Sequence, residues 1–154
     1  MASYAYEQFE LKKFYDKAEV ACRKLKQMNP KFTGQVGLDL NMIECCNYYL
    51  SFSEERNLIN KYLQSEQEHM RIRARFTMIS RAMQLNDVAI YERNIKAIAT
   101  SLENGKYLQI AYGTQCMNEL HMVRMNWASM RSDKAAFFEE LKKYIQFLEE
   151  HEGL

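Results

Sequence analysis

Apolar side chains recur along this chain at alternating spacings of three and four residues, and this periodicity predicts α-helices. The clearest stripe lies between residues 53 and 86. Its apolar and semi-polar members are Leu58, Tyr62, Ile72, Phe76, Ile79 and Met83. Ser65 and His69 are the two members that are not apolar. Because one stripe joins all of these positions, we predict a single helix over about Glu54 to Leu85, roughly 45 Å long.

Two helices are predicted ahead of this stripe. The first spans about Ser3 to Met28, and Asn29-Pro30 ends it because the residue before a proline is disfavoured in the helical region. Its seam at heptad spacing consists of Leu11, Phe14, Ala18, Ala21, Leu25 and Met28. The second helix begins near Asp39. Ser53 is followed by acidic residues and is typical of a new N-cap, so we predict a kink or break at that point.

Three more helices are predicted towards the C-terminus. The fourth spans Val88 to Asn104 with Asp87 as its cap, and the fifth spans about Lys106 to Met130. Ser132-Asp133 caps the sixth. Gly105 is a typical helix stop, because glycine tolerates the left-handed conformation. The three seams are Val88, Tyr91, Ile95, Ile98 and Leu102; Cys116, Leu120, Val123, Trp127 and Met130; and Phe137, Leu141, Tyr144 and Leu148.

The predicted fold class is all-α. No stretch alternates apolar and polar residues for more than a few positions, so no strand is predicted. One proline and five glycines argue against a sandwich or barrel, which needs many turns. We therefore predict an elongated bundle of five to six mostly antiparallel helices, in a single domain over residues 1–154. Gly113, inside the predicted fifth helix, is expected where another helix comes close.

Charge and composition exclude some classes of function. The 21 basic and 20 acidic residues leave a net charge of +1, which provides no global field for nucleic acid or an anionic membrane. The chain has no apolar run of 18 residues and no signal-peptide pattern, so we expect a cytoplasmic protein that does not enter a membrane. Its cysteines form no C-x-x-C pair and are expected to be reduced and buried. They are Cys22, Cys45, Cys46 and Cys116.

Arginines are concentrated in the second half of the long stripe. They are Arg71, Arg73, Arg75 and Arg81. Between Arg56 and Arg81 there are six basic side chains against two acidic ones, a local charge of +4. Arginine suits phosphate and carboxylate groups, so this segment predicts contact with nucleic acid or an acidic partner. The alternative is a solvated face with ion pairs such as Glu68 to Arg71, because the arginines are spread over more than half of the helix circumference.

A metal site is considered and not predicted. Glu66 and His69 are three residues apart on one helix face. A di-iron carboxylate bundle uses two such glutamate–histidine pairs as metal ligands, and this would be one of them. The nearest second pair has Asn118 where a glutamate is needed before His121. The single carboxylates would come from Glu44 and Glu92. Because the pattern departs at several positions, we expect no metal or cofactor, and we expect His69 to be a satisfied or partly exposed core histidine.

The fifth predicted helix is apolar on nearly all sides from residue 121 to residue 130, so it is either central in the bundle or shared with a partner. The residues predicted to bind a partner are Met122, Met125, Trp127 and Met130. The three histidines form no nucleophilic arrangement with serine or cysteine, so no enzyme is predicted. The predicted function is protein–protein interaction or self-assembly, as an adaptor, scaffold, inhibitor-like binder or homo-oligomer. The alternative is nucleic-acid backbone binding through the arginines.

Overall fold

The computed structural model describes residues 2–31 and 52–151, and these residues are almost entirely helical. No strand occurs among them, which confirms the all-α prediction. The α-helices are α1 (Ala2–Met28), α2 (Phe52–Leu63), α3 (Glu68–Leu85), α4 (Val88–Leu102), α5 (Gly113–Met130) and α6 (Lys134–Glu150). A short 3-10 helix, Lys106–Gln109, precedes α5. Within the described ranges, no helix is long and apolar enough to cross a membrane.

The chain divides into two compact units, Met1–Gln64 and Ser65–Leu154, which we name the N-terminal unit and the C-terminal unit. In the N-terminal unit, α1 ends ahead of Pro30 as predicted, and its seam residues Phe14 and Met28 are exposed. The predicted second helix, with its Asp39 cap, lies outside the described residues. Whether the two units form one domain stays a prediction.

The predicted continuous helix over Glu54 to Leu85 is wrong, because the chain leaves the helical conformation between α2 and α3. Gln67 is extended there, and its backbone N–H donates to the Ser65 hydroxyl oxygen at 3.2 Å. The Arg71 guanidinium donates to the Ser65 carbonyl oxygen. Side chains thus satisfy backbone groups that a continuous helix would pair internally, and they make the break stable. Ser53, predicted as an N-cap, lies inside α2.

Two helical hairpins form most of the C-terminal unit, and their turns follow the sequence prediction. Between α3 and α4, Asn86 adopts a left-handed conformation with φ 53°, and the Asp87 carboxylate accepts from the Ile90 N–H at 3.1 Å. Between α5 and α6, the Asp133 carboxylate accepts from the Ala136 N–H at 3.0 Å. Each aspartate pairs a backbone donor that the first turn of a helix leaves unpaired.

The segment between the hairpins differs from the prediction. The fifth helix was predicted from Lys106, but α5 begins at Gly113 after the 3-10 helix. Gly105 is left-handed as predicted, with φ 77°, and Tyr112 is left-handed as well, with φ 58°. A Cβ on Gly113 would lie 2.7 Å from the Tyr107 carbonyl carbon. The segment that comes close to Gly113 is therefore the 3-10 helix.

One hydrophobic cluster forms the core of the C-terminal unit. Its buried members are Ile72, Phe76, Ile79, Ala82, Tyr91, Ile98, Ala99, Leu102, Cys116, Met117, Leu120 and Phe147. The predicted stripes of α3, α4 and α5 supply most of these residues. In α6 the predicted seam is wrong in part: Phe147 is buried and Leu148 is 36% exposed. Glu140, a polar residue outside the predicted seam, occupies one of the core-facing positions.

Candidate interaction surface

Helix α6 carries two adjacent rows of side chains at heptad spacing. The inner row faces the core and includes Glu140, Tyr144 and Phe147. The outer row, which we name the outer seam, consists of Phe138, Leu141, Ile145 and Leu148. Phe138 is 57% exposed and Ile145 is 47% exposed. A helix at the surface of a globular protein needs one apolar stripe to pack on its core, so the outer seam is apolar surface beyond that need.

A polar contact connects the exposed Met122 of α5 to α6. The Tyr144 hydroxyl donates to the Asn118 side-chain oxygen at 2.8 Å. The Asn118 amide group in turn lies 3.7 Å from the Met122 sulfur. Met122 is 46% exposed, and Tyr144 directly precedes Ile145 of the outer seam. Through these two contacts Met122, which was predicted to bind a partner, lies next to the inner row of α6.

Trp127 and Met125, which were predicted to bind a partner, are both half-buried. The Trp127 ring stacks on Tyr91 of α4 with centroids 3.9 Å apart, and the Arg131 guanidinium lies 5.0 Å from its centroid. Burial raises the pKa of Tyr91 to about 12. The indole thus packs two helices of the C-terminal unit together.

Met130 lies in a different environment from Met122. It is 54% exposed and lines an open groove of about 340 Å³ between α3 and α5. The apolar lining of this groove also includes Phe76, Ile79, Met83 and Val123. The four residues predicted to bind a partner are therefore distributed over separate environments.

Beneath the outer seam, a buried polar cluster holds α6 against α5. His121 Nδ1 and Glu140 Oε1 are 2.7 Å apart, and both residues are buried. Arg124 lies 3.8 Å from the same carboxylate and 2.7 Å from Glu103. Burial acts to raise the pKa of Glu140, but the hydrogen bond from His121 and the charge of Arg124 outweigh it and hold that pKa below its usual value. The sequence analysis missed Glu140, although it lies in heptad phase with Tyr144 and Phe147.

Aromatic contacts continue this cluster towards the end of α6. The Phe147 ring lies 5.3 Å from the ring of His121 and 4.8 Å from the ring of His151. The Tyr107 hydroxyl and His151 Nε2 share a hydrogen bond of 2.5 Å. The inner row is thus bound to α5 at one end and to the 3-10 helix at the other, which fixes the rotation of α6 about its own axis. The outer seam is held outward as a consequence.

The arginines of α3 bond to acceptors inside the C-terminal unit. Arg71 pairs with Glu68, as the ion-pair alternative predicted, and Arg73 pairs with Glu119 of α5. An Arg75 N–H donates to the Asn94 side-chain oxygen at 3.2 Å. Arg81, the fourth member of the predicted patch, is half-buried. The contacts of Arg73 and Arg75 link α3 to α5 and α4, whereas the pair of Arg71 with Glu68 lies within α3. All three contacts compete with any phosphate for the same N–H groups.

The histidines and cysteines considered in the sequence analysis are also placed. His69 is half-buried with its ring 5.2 Å from that of Tyr112, and burial followed by the charge of Arg73 lowers its pKa. Glu66 and Glu92 are exposed. Burial raises the pKa of the Cys116 thiol. The described part of the chain contains no group of three histidine, cysteine or acidic side chains placed to hold a metal ion, and Glu44, Cys45 and Cys46 lie outside it.

Comparison with protein-family models, with curated proteins and with solved structures finds no match to this chain. The class that the fold defines is an all-α helical bundle. A fold of this kind hosts many functions, so the function depends on the surface and its chemistry. In the C-terminal unit the outer seam of α6 is a row of apolar side chains that core packing does not require.

Proposed function

We propose that this chain is a non-enzymatic binding protein that works by contacting another protein molecule, with the outer seam of α6 as its contact surface. The observation that carries the proposal is the exposed apolar row on a helix whose other row, Glu140, Tyr144 and Phe147, already packs against the core. Phe138, Ile145 and Leu148 keep apolar area in water, where each Å² costs roughly 25 cal/mol relative to burial. Contiguous apolar surface of this kind is typical of interaction sites.

The rigidity of the helix beneath the seam supports the same proposal. His121 and Glu140 are hydrogen-bonded at 2.7 Å, and Tyr144 and Asn118 at 2.8 Å. These contacts fix α6 before any partner arrives, so little conformational freedom is lost on binding. A surface held in this way suits an adaptor or scaffold, in which the contact itself is the activity.

Binding to nucleic acid through the arginines is the alternative. It would require Arg71 and Arg73 to exchange Glu68 and Glu119 for phosphate groups. Retention of RNA or DNA that weakens with salt and is lost on reversing the charge of Arg75 would favour this alternative. No retention at low salt would leave the protein–protein proposal in place.

Site-specific photo-crosslinking in cells that produce the protein tests the proposal. The variant Phe138→p-benzoylphenylalanine places a reactive group of similar shape on the outer seam. The matched control, Gln146→p-benzoylphenylalanine, places the same group at an exposed position of the same helix that lies away from the seam. We expect adducts to a protein from position 138 and few from position 146. Equal labelling at both positions, or none at 138, would overturn the proposal.

A further inference from the structure

We infer that the occupant of the outer seam is a second copy of this chain, with the two α6 helices paired antiparallel about a two-fold axis. This inference rests on the proposed function and names the partner. A two-fold interface requires one surface that complements itself. The outer seam and the charges beside it meet that requirement, as its apolar spacing and its flanking residues each indicate.

The apolar spacing is self-complementary. In the order Phe138, Leu141, Ile145, Leu148 the spacings are three, four and three residues, which read the same in both directions. Antiparallel pairing therefore sets Phe138 opposite Leu148 of the second copy, and Leu141 opposite Ile145 of the second copy. Each of the four positions meets an apolar side chain, as knobs-into-holes packing requires.

Antiparallel pairing brings charges of opposite sign to the same flank of the seam. Lys142 and Glu149 each follow a leucine of the seam, so they lie on the same flank, one heptad apart, and both are exposed. Neither forms an ion pair with any residue that the structure describes, whereas on other faces of α6 Glu139 pairs with Lys143. Because the flank runs in opposite directions on the two copies, Lys142 and Glu149 of the second copy lie five residues apart in this register, about 7.5 Å along the helix axis, and the reverse pair forms by symmetry. The two Lys142 side chains lie only two residues apart beside the two-fold axis, so the flank carries two lysines in the middle and one glutamate at each end.

The size of the seam sets the expected affinity. Four side chains on one helix present less area than the ~800 Å² per partner of a standard stable interface. The dimer is therefore expected to be weak and reversible, with a dissociation constant on the order of micromolar. Light scattering over a range of concentrations measures it as a rise from the 18.3 kDa of one chain towards twice that mass.

Charge reversal on the full chain tests the inference. Lys142→Glu makes the flank acidic on both copies, and Glu149→Lys makes it basic on both copies, so each variant alone should weaken the dimer about tenfold or more at low salt. Mixing the two variants sets an acidic flank beside a basic one and should restore the dimer. The double variant Lys142→Glu/Glu149→Lys should also match the wild type. Both positions are exposed, so each variant should fold, and circular dichroism is the check.

The outcomes distinguish a failure of self-pairing from a failure of the proposed function. A wild-type chain that stays at the mass of one copy up to several hundred micromolar overturns self-pairing, yet crosslinks from Phe138 to a different protein would still support the proposed function. A dimer that neither single variant weakens, or that mixing does not restore, overturns the antiparallel α6 interface. A chain that neither dimerises nor crosslinks from Phe138 overturns both.

Discussion

Glu140 occupies a position on α6 that an apolar residue would fill in a simple amphipathic helix. Its carboxylate is 2.7 Å from His121 and 3.8 Å from Arg124. A buried carboxylate without such partners would be destabilising, whereas here two groups compensate its loss of water. The arrangement also fixes which face of α6 packs inward, so a single residue helps to decide where the outer seam lies.

We predict that Glu140→Gln lowers the free energy of unfolding by about 2 kcal/mol, since a hydrogen bond to a charged group is replaced by a neutral one. Because the folded-state pKa of Glu140 lies below its usual value, the carboxylate stabilises the fold above the unfolded-state pKa, and this contribution is lost as the pH falls through the lower, folded-state pKa. Urea denaturation at pH 7 and at acidic pH measures both effects. The difference between wild type and variant should shrink on acidification.

A double variant separates packing from charge at this site. His121→Leu/Glu140→Leu removes both polar groups together, and it should destabilise the protein less than the sum of the two single changes, each of which leaves one buried polar partner behind. Additive effects in this cycle would contradict the coupling of His121 to Glu140.

At the scale of single elements, the start of α5 depends on Gly113. The backbone of Tyr107 crosses Gly113 so closely that a Cβ would meet its carbonyl group. We predict that Gly113→Ala destabilises the protein by roughly 3 kcal/mol, because backbone atoms on both sides would have to move. Thermal unfolding followed by circular dichroism measures this change.

Gly105→Ala is the matched control for that variant. Gly105 is left-handed with φ 77°, but no atom lies within 4 Å of a Cβ built on it. Gly105→Ala should lower the free energy of unfolding by only about 1 kcal/mol, because alanine adopts the left-handed conformation less readily than glycine does. If both glycine variants lost the same stability, the close approach of Tyr107 would not be what requires Gly113.

The elements that sequence periodicity predicted well are those in which local chemistry and tertiary packing agree. Asp87 and Asp133 are found as N-caps because capping depends on neighbours in the sequence. The helix predicted over Glu54 to Leu85 failed for the opposite reason. Its stripe is in phase across the break, and only the contacts of Ser65 with Gln67 and Arg71 reveal the interruption.

The outer seam of α6 was also not predicted from the sequence, because its position depends on a contact between residues that are distant in the sequence. Leu141 and Leu148 were assigned to the core because their spacing with Phe137 and Tyr144 forms one apolar stripe. Glu140 lies outside that stripe. Its partner His121 is 19 positions away, and only the packing of α5 on α6 brings them together. With Glu140 turned inward, Leu148 lies on the outside with Phe138 and Ile145, and Leu141 is half-buried.

At the scale of the whole molecule, the described hydrophobic cluster lies in one of the two units. Among the residues that the structure describes, every buried member of the hydrophobic cluster, from Ile72 to Phe147, belongs to the C-terminal unit. The ion pair of Arg73 with Glu119 and the stack of Tyr91 on Trp127 connect its hairpins as well. The unit thus has the core and the cross-links that an independent domain needs.

We therefore predict that a fragment comprising residues 65–154 folds by itself, with a helical circular dichroism spectrum and one cooperative thermal transition. A shorter fragment, residues 86–154, is the matched control: it lacks α3 and with it Ile72, Phe76 and Ile79, so it should lose the cooperative transition. If the longer fragment is unfolded, the cluster depends on the N-terminal unit, and the single-domain prediction made from the sequence is favoured. A folded fragment would instead locate the outer seam on a domain small enough for its self-association to be measured separately.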